Sequence, residues 1–299
     1  MKNGWYILNY HDISWEENPY IAGIGGTFPP DIFRAHLEAL SEAGELVSVQ
    51  EGFRRWKEGT IDKPLFSFWF DDGFLGVRKY AMPIMDTFGI KGAISVNSRF
   101  TLREEMFWRL KLSYLNHVDG LRFVRSRLKP FGYTLDKSVK AFVMDHFSFE
   151  IVEIIDEVYR KFTTQRDRTD AFRIFDTIEG IEELHKNGWV ISNHSSAHYP
   201  VSEASHIDHF AGEFQECEYA LHKHIGINTD FWVLPFDRKS LDTASLLAHF
   251  EKADGGERHL VLVGDKVNTN DTSQEKIIYR IEPPYLKSRD FLKYLCSLK

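Results

Sequence analysis

The sequence predicts an α/β protein built on parallel strands. Short runs rich in β-branched and aromatic residues alternate with amphipathic stretches along most of the 299 residues, and several of these runs stop at carboxylates or histidines. No Pro- or Gly-rich linker divides the chain. Alternation of this kind implies strands joined by crossover helices, as an open sheet or as a β/α barrel. In both architectures the functional groups gather at the carboxyl ends of the strands.

The elements follow in order. The run 5–10 (WYILNY) is a strand and 30–43 the amphipathic helix after it; 65–70 (LFSFWF) is a second strand, followed by helical 75–88. Further strands are expected at 92–96, 189–192, 231–234 and 259–263. Between about 97 and 176 the alternation gives way to helical spacing, with Ile151, Ile154, Ile155 and Val158 at i, i+3, i+4 and i+7. This stretch is expected to be a helical insertion in which Phe107, Trp108, Leu110, Leu112 and Leu115 serve packing. A length of 299 residues allows two domains of roughly 150 residues or one larger one. A single domain over 1–299 is favoured, because the candidate site residues described next spread from residue 11 to at least residue 198.

Composition narrows the function. Hydrophobic residues make up 43% and charged residues 27%, with a mean hydropathy of −0.34, the balance of a soluble globular chain. The net charge of −7 offers no basic field for phosphates, which excludes nucleic acid as a partner. Cys217 and Cys296 stand far apart and form no disulfide framework or metal motif. The N-terminal apolar run is too short for a signal-peptide core, so a cytoplasmic location is expected. The 13 histidines matter more, because imidazole serves metals and proton transfer.

Four signals carry chemistry. Apolar 65–70 stops at Asp71-Asp72-Gly73, where two adjacent carboxylates at a buried strand end repel unless a cation or proton relieves them; the alternative is a solvated Asp-Gly turn. The segment 188–198 (GWVISNHSSAH) leads a strand into His194 and His198. If it turns helical, the i, i+4 spacing presents both imidazoles to one divalent metal; chance surface histidines are the alternative. Residues 231–237 (FWVLPFD) end a strand on Pro235, Phe236 and Asp237, a fixed loop on the same rim or an ordinary turn. His11, with Asp12, closes the first strand and projects onto that rim by the same topology. Two histidines and one carboxylate leave coordination positions open for water, as in catalytic zinc and non-haem iron sites.

These residues resemble the polysaccharide deacetylase family, also called the NodB-homology domain or carbohydrate esterase family 4. Phe70-Asp71-Asp72-Gly73 is similar to its first motif, 193–198 (NHSSAH) to its second, and Leu234-Pro235-Phe236 stands where its third begins. Tyr10-His11-Asp12 is similar to the start of the permuted, biofilm-type members. The resemblance implies a distorted (β/α)7-type barrel interrupted by the insertion at about 97–176. It implies Asp71 as general base, Asp72, His194 and His198 as metal ligands, and His11 as the acid. Trp69, Pro235, Phe236 and Asp237 become candidates for contact with a sugar. Asp237 stands where the family has glycine, and no arginine precedes the third motif, which leaves Arg238 as its candidate replacement.

The implied activity is metal-dependent hydrolysis of an N-acyl group, N-acetyl first, from an amino sugar or glycan. The divalent metal is zinc first, with cobalt, nickel or iron as alternatives. The expected partner is a nucleotide- or lipid-linked N-acylated amino sugar, or a glycan, in the assembly of surface polysaccharide such as O-antigen or capsule, with peripheral membrane association through the insertion. Two other readings stand beside this one: a sugar N-deformylase or related metal-dependent amidohydrolase, and a carbohydrate-binding protein that keeps the fold without the chemistry.

Overall fold

The computed structural model describes the chain except for residues 137, 201–206, 236–242, 257, 265, 287 and 299. Seven parallel strands run through the central sheet in the order of the sequence: β1 (Gly4–Tyr10), β2 (Pro64–Phe70), β3 (Ala93–Val96), β4 (Val190–Asn193), β5 (Phe231–Val233), β6 (His259–Val263) and β7 (Ile277–Arg280), and a two-residue eighth, Glu45–Leu46, pairs with β2 beside this path. The last strand meets the first. Ile281 bridges Leu8 in parallel, the Asn9 N–H donates to the Ile281 carbonyl at 2.8 Å, and the Ile281 N–H donates to the Ile7 carbonyl at 2.8 Å. The sheet therefore curls into a nearly closed (β/α)7 barrel. Six of its strands lie where the sequence places them, and β7 is the addition.

Strand parity decides what fills the barrel, because successive side chains point to opposite faces. Trp5 and Ile7 on β1, Leu65 and Trp69 on β2, Phe231 and Val233 on β5 and Ile278 on β7 pack together in the interior. The alternate set, Tyr6, Leu8 and Tyr10 with Phe66, Phe68 and Phe70, faces outward and is covered by Phe33, Leu37 and Leu40 of helix α1 (Pro30–Ala43). At the top of the interior stack the same parity presents polar groups. Asn9 lies two residues beyond Ile7, Asp71 two beyond Trp69, and Arg280 two beyond Ile278.

Where a continuous helix is expected over 75–88, the chain forms a wide π-type turn at Val77–Ala81 before an α-helix at Met82–Asp86. Pro83 in the first turn of that helix has no N–H to continue the ladder from the preceding turn, which resets the hydrogen-bond register there. Between β3 and β4 the expected helical segment forms, including α2 (Trp108–His117) and α3 (Phe149–Phe162). It has its own apolar core, in which Leu110, Leu112 and Leu115 meet Ile151, Ile154, Ile155 and Val158. Ser148 starts α3 by accepting the Ile151 N–H, and a Thr164–Asp167 capping box starts the next helix. No helix among the described residues is long and apolar enough to cross a membrane.

Candidate metal and catalytic site

The carboxyl ends of β1, β2 and β4 bring the candidate residues together. The register that pairs Tyr10 with Phe70 sets Asp71 beside His11, and the Asp71 N–H donates to the Tyr10 carbonyl at 2.9 Å. The His194 N–H donates to the Val96 carbonyl at 3.0 Å, carrying the parallel ladder one residue past β4. A small cavity of about 150 Å3 opens there, and His11, Asp71, His194, His198 and Arg280 are among the residues that line it.

Asp72, His194 and His198 converge, with one ligand atom from each lying within 4.8 Å of the other two. His194 Nε2 is 3.5 Å and His198 Nε2 3.3 Å from Asp72 Oδ1. A tetrahedral ion with bonds of about 2.1 Å separates its ligand atoms by roughly 3.4 Å, so these two distances fit a zinc-sized cation. Asp72 Oδ1 is buried and receives no hydrogen bond, an electron-rich atom that a cation satisfies. Burial raises the Asp72 carboxyl above its usual range, against the pull of His11 and His194. His194 Nδ1 lies 2.9 Å from the Val233 carbonyl. A carbonyl can only accept, so Nδ1 carries a proton and Nε2 is the nitrogen turned toward Asp72, free to be the ligand atom. Burial, reinforced by the Arg109 charge, holds His198 well below the ordinary imidazole value and therefore neutral, as a ligand must be.

The loop that carries the histidines is not helical. Asn193 Oδ1 accepts the Ser195 N–H and Ser195 Oγ accepts the His198 N–H, both at 3.0 Å, so side chains take the amides a helix would have used. Ser195 and His198 adopt positive φ of 65° and 58°, as do Asp72 at 70° and Gly73 at 68°. Three non-glycine residues in this sparsely populated region around one cluster are the backbone strain that collects at functional sites.

Asp71 stands apart from the ligand set, 3.9 Å from His194 Nε2. Its Oδ2 accepts from Asn9 Nδ2 at 3.1 Å, and its Oδ1 accepts from Arg280 Nη1 at 2.6 Å. Burial pushes this carboxyl up, but the Arg280 guanidinium, through its charge and its hydrogen bond, outweighs it and holds Asp71 well below the usual carboxylate range. Asp71 is thus an ionised acceptor beside the histidines.

Other candidates are placed differently. Trp69 is fully buried below the site, donates to Ser95 Oγ at 2.6 Å, and lies beneath the Arg280 guanidinium at 5.5 Å. It cannot stack on a sugar, because its strand parity sends it into the barrel. Pro235 is buried at the end of β5, while Phe236, Asp237 and Arg238 lie outside the described residues. Sequence reasoning missed Asn9, Arg280 and Arg109. Arg280 supplies the guanidinium partner of Asp71 sought at Arg238. Arg109, from α2, also lines the cavity, with its guanidinium over Phe107 at 5.6 Å and Trp108 at 5.7 Å. A larger cavity of about 430 Å3, beside Asp12, Tyr20, Tyr114 and Asp167, holds no such ligand set among the described residues.

No family model and no curated protein matches the sequence. Solved structures do. IcaB from Ammonifex degensii is 14% identical over 99% of this chain and 97% of its own, with a TM-score of 0.61. The Streptococcus pyogenes deacetylase PplD, solved in complex with acetate, is 15% identical over 98% of each chain, with a TM-score of 0.60. A de-N-acetylase from Aggregatibacter actinomycetemcomitans is 13% identical over 97% of this chain and 99% of its own, with a TM-score of 0.60. Over nearly its whole length, this chain has the fold of these deacetylases.

Proposed function

We propose that the protein is a metal-dependent carbohydrate N-deacetylase, one NodB-like domain over 1–299 with an insertion at about 97–176. The observation that supports this most is the Asp72–His194–His198 cluster with Asp71 ionised beside it and outside the ligand set. A binding protein needs no such acceptor next to a cation.

Asp72, His194 and His198 would hold the ion, zinc first. When bound, a divalent metal supplies Lewis-acid polarisation of the acyl carbonyl and an acidified water. Asp71 takes up the proton of the attacking water, and Asn9 and Arg280 fix both of its oxygens for that task. His11, which lines the same cavity, supplies the proton the departing amine needs, because an amide nitrogen leaves poorly without one. A cavity of about 150 Å3 suits a small acyl group such as acetyl. The substrate we infer is an N-acetylated amino sugar, nucleotide- or lipid-linked or part of a glycan, in the assembly of surface polysaccharide in the cytoplasm.

The test is acetate release from N-acetylglucosamine oligomers and from nucleotide-linked N-acetyl amino sugars, before and after dialysis against chelator. Release that disappears on chelation and returns with zinc supports the assignment. No release from any member of the panel by the zinc-loaded protein overturns it.

A further inference from the structure

The two histidines of the cluster are supported unequally. His194 is oriented by its hydrogen bond to the Val233 carbonyl, whereas Nδ1 of His198 is buried and receives no such hydrogen bond from any other residue. Metal-binding imidazoles ordinarily gain their orientation from such a second hydrogen bond. The His198 ring is held instead by packing, 4.6 Å from Phe107 and 4.7 Å from His194 between ring centres.

Phe107 comes from the segment between β3 and β4, and it begins a chain of aromatic rings. It stacks on Phe100 at 5.1 Å, Phe100 meets Phe175 at 5.1 Å, and Phe175 stacks on Phe74 at 5.3 Å. Phe74 lies two residues beyond Asp72. Its backbone forms an antiparallel bridge with Phe175, and the Asp176 N–H donates to the Gly73 carbonyl at 2.8 Å. The two ends of the helical segment therefore grip two ligand loops, one at Asp72 and one at His198. Both ligands have left-handed backbones, with φ of 70° and 58°, which persist only where the surroundings enforce them.

We propose that the helical segment is a positioning element for the metal site, with Phe107 fixing the His198 ring and Phe175 fixing the Asp72 loop through this aromatic chain. The proposal rests on the metal-site reading above. Apolar packing substitutes for the missing hydrogen bond at His198, so removing the ring face frees the imidazole to rotate away from Asp72.

The test is zinc affinity, measured by competition with a chromophoric chelator, together with the visible spectrum of the cobalt-loaded protein. Phe107→Leu keeps an apolar side chain of similar size but removes the ring face, while Phe107→Tyr keeps the ring. Phe107→Leu is expected to weaken zinc binding by about 10-fold or more, the scale seen when the partners that orient metal ligands are lost, and to alter the cobalt spectrum. Phe107→Tyr should stay within about threefold of the parent, given the retained ring contact. Ile155→Val, in the same apolar core but not in the chain of rings, should lower thermal stability and leave zinc affinity unchanged. A parent protein that binds no zinc overturns the deacetylase reading. A parent that binds zinc, with Phe107→Leu equal to it or Ile155→Val as damaging, overturns the positioning role alone. Should Phe107→Leu fail to fold by circular dichroism, Phe175→Leu, at the other end of the chain of rings, is judged by the same criteria.

Discussion

Arg280 donates from Nη1 to Asp71 Oδ1 at 2.6 Å and to Asn9 Oδ1 at 2.8 Å, so the last strand of the barrel reaches over the closing seam to the acid that ends the second. All three side chains are buried. Removing one member of a buried ion pair strands the other charge, at a cost of about 3–5 kcal/mol. Arg280→Met is therefore expected to destabilise the fold by that amount in urea unfolding. Adding Asp71→Asn removes the stranded charge, so the double variant should lose less than the sum of the single losses. Additive losses would show that the two groups are not coupled.

Asp71 and His194 separate catalysis from metal binding. Asp71→Asn keeps the shape and one acceptor oxygen, for Arg280, sets an NH2 against the Asn9 amide, and cannot accept a proton. It should retain zinc and lose turnover by roughly 10²–10⁴-fold, the usual contribution of a positioned base. His194→Ala should lose both zinc and turnover. Metal analysis of the dialysed proteins beside acetate-release rates decides this, and an active Asp71→Asn would remove Asp71 from the role of base.

How much of this was legible depended on distance along the chain. Asp71, Asp72, His194 and His198 stand in two short contiguous motifs at the ends of apolar runs, where strand topology alone puts them on one rim. Arg280 is 209 residues from its partner and ends a four-residue strand with no motif around it. The signal that finds it is parity: an arginine two residues beyond Ile278 in a buried strand faces the barrel interior, where only an acid can receive it. The same parity disposes of Trp69, which sits on the face of Asp71 one layer lower. The histidine loop misleads in another way. Its i, i+4 spacing suits a helix, but Asn193 and Ser195 capture the amides first.

His11 is tested by the leaving group. It lines the cavity with Asp71 and the two histidines. An amine departs poorly unless it is protonated, whereas the phenolate of an activated acetate ester departs unaided. His11→Ala is expected to slow amide hydrolysis by about 10²-fold or more and ester hydrolysis by less than about 10-fold. Equal losses on both substrates would remove His11 from the role of acid.

At the opposite end of the barrel, His259 gives the fold a pH dependence separate from the site. It begins β6, packs edge-on against Phe53 at 4.9 Å and Trp56 at 6.1 Å, and leaves Nε2 buried without a hydrogen bond. Burial first, then the charges of Lys57 and Lys276, push the imidazole down from 6.5 to about 4. Between those two values the unfolded chain takes up a proton that the folded chain refuses, so stability is complete above about pH 6.5 and falls as the pH drops toward 4. The loss attributable to this one residue is about 2 kcal/mol by pH 4, after allowance for its partial contact with solvent. His259→Phe keeps the aromatic contacts and cannot be protonated. Urea unfolding of both proteins at pH 7.5 and near pH 4.5 should show the parent losing more stability than the variant, by an amount approaching that figure. Parallel losses would assign the acid sensitivity to other groups. Because His259 lies at the amino end of its strand, away from Asp71 and the metal ligands, acetate release at neutral pH should survive the substitution.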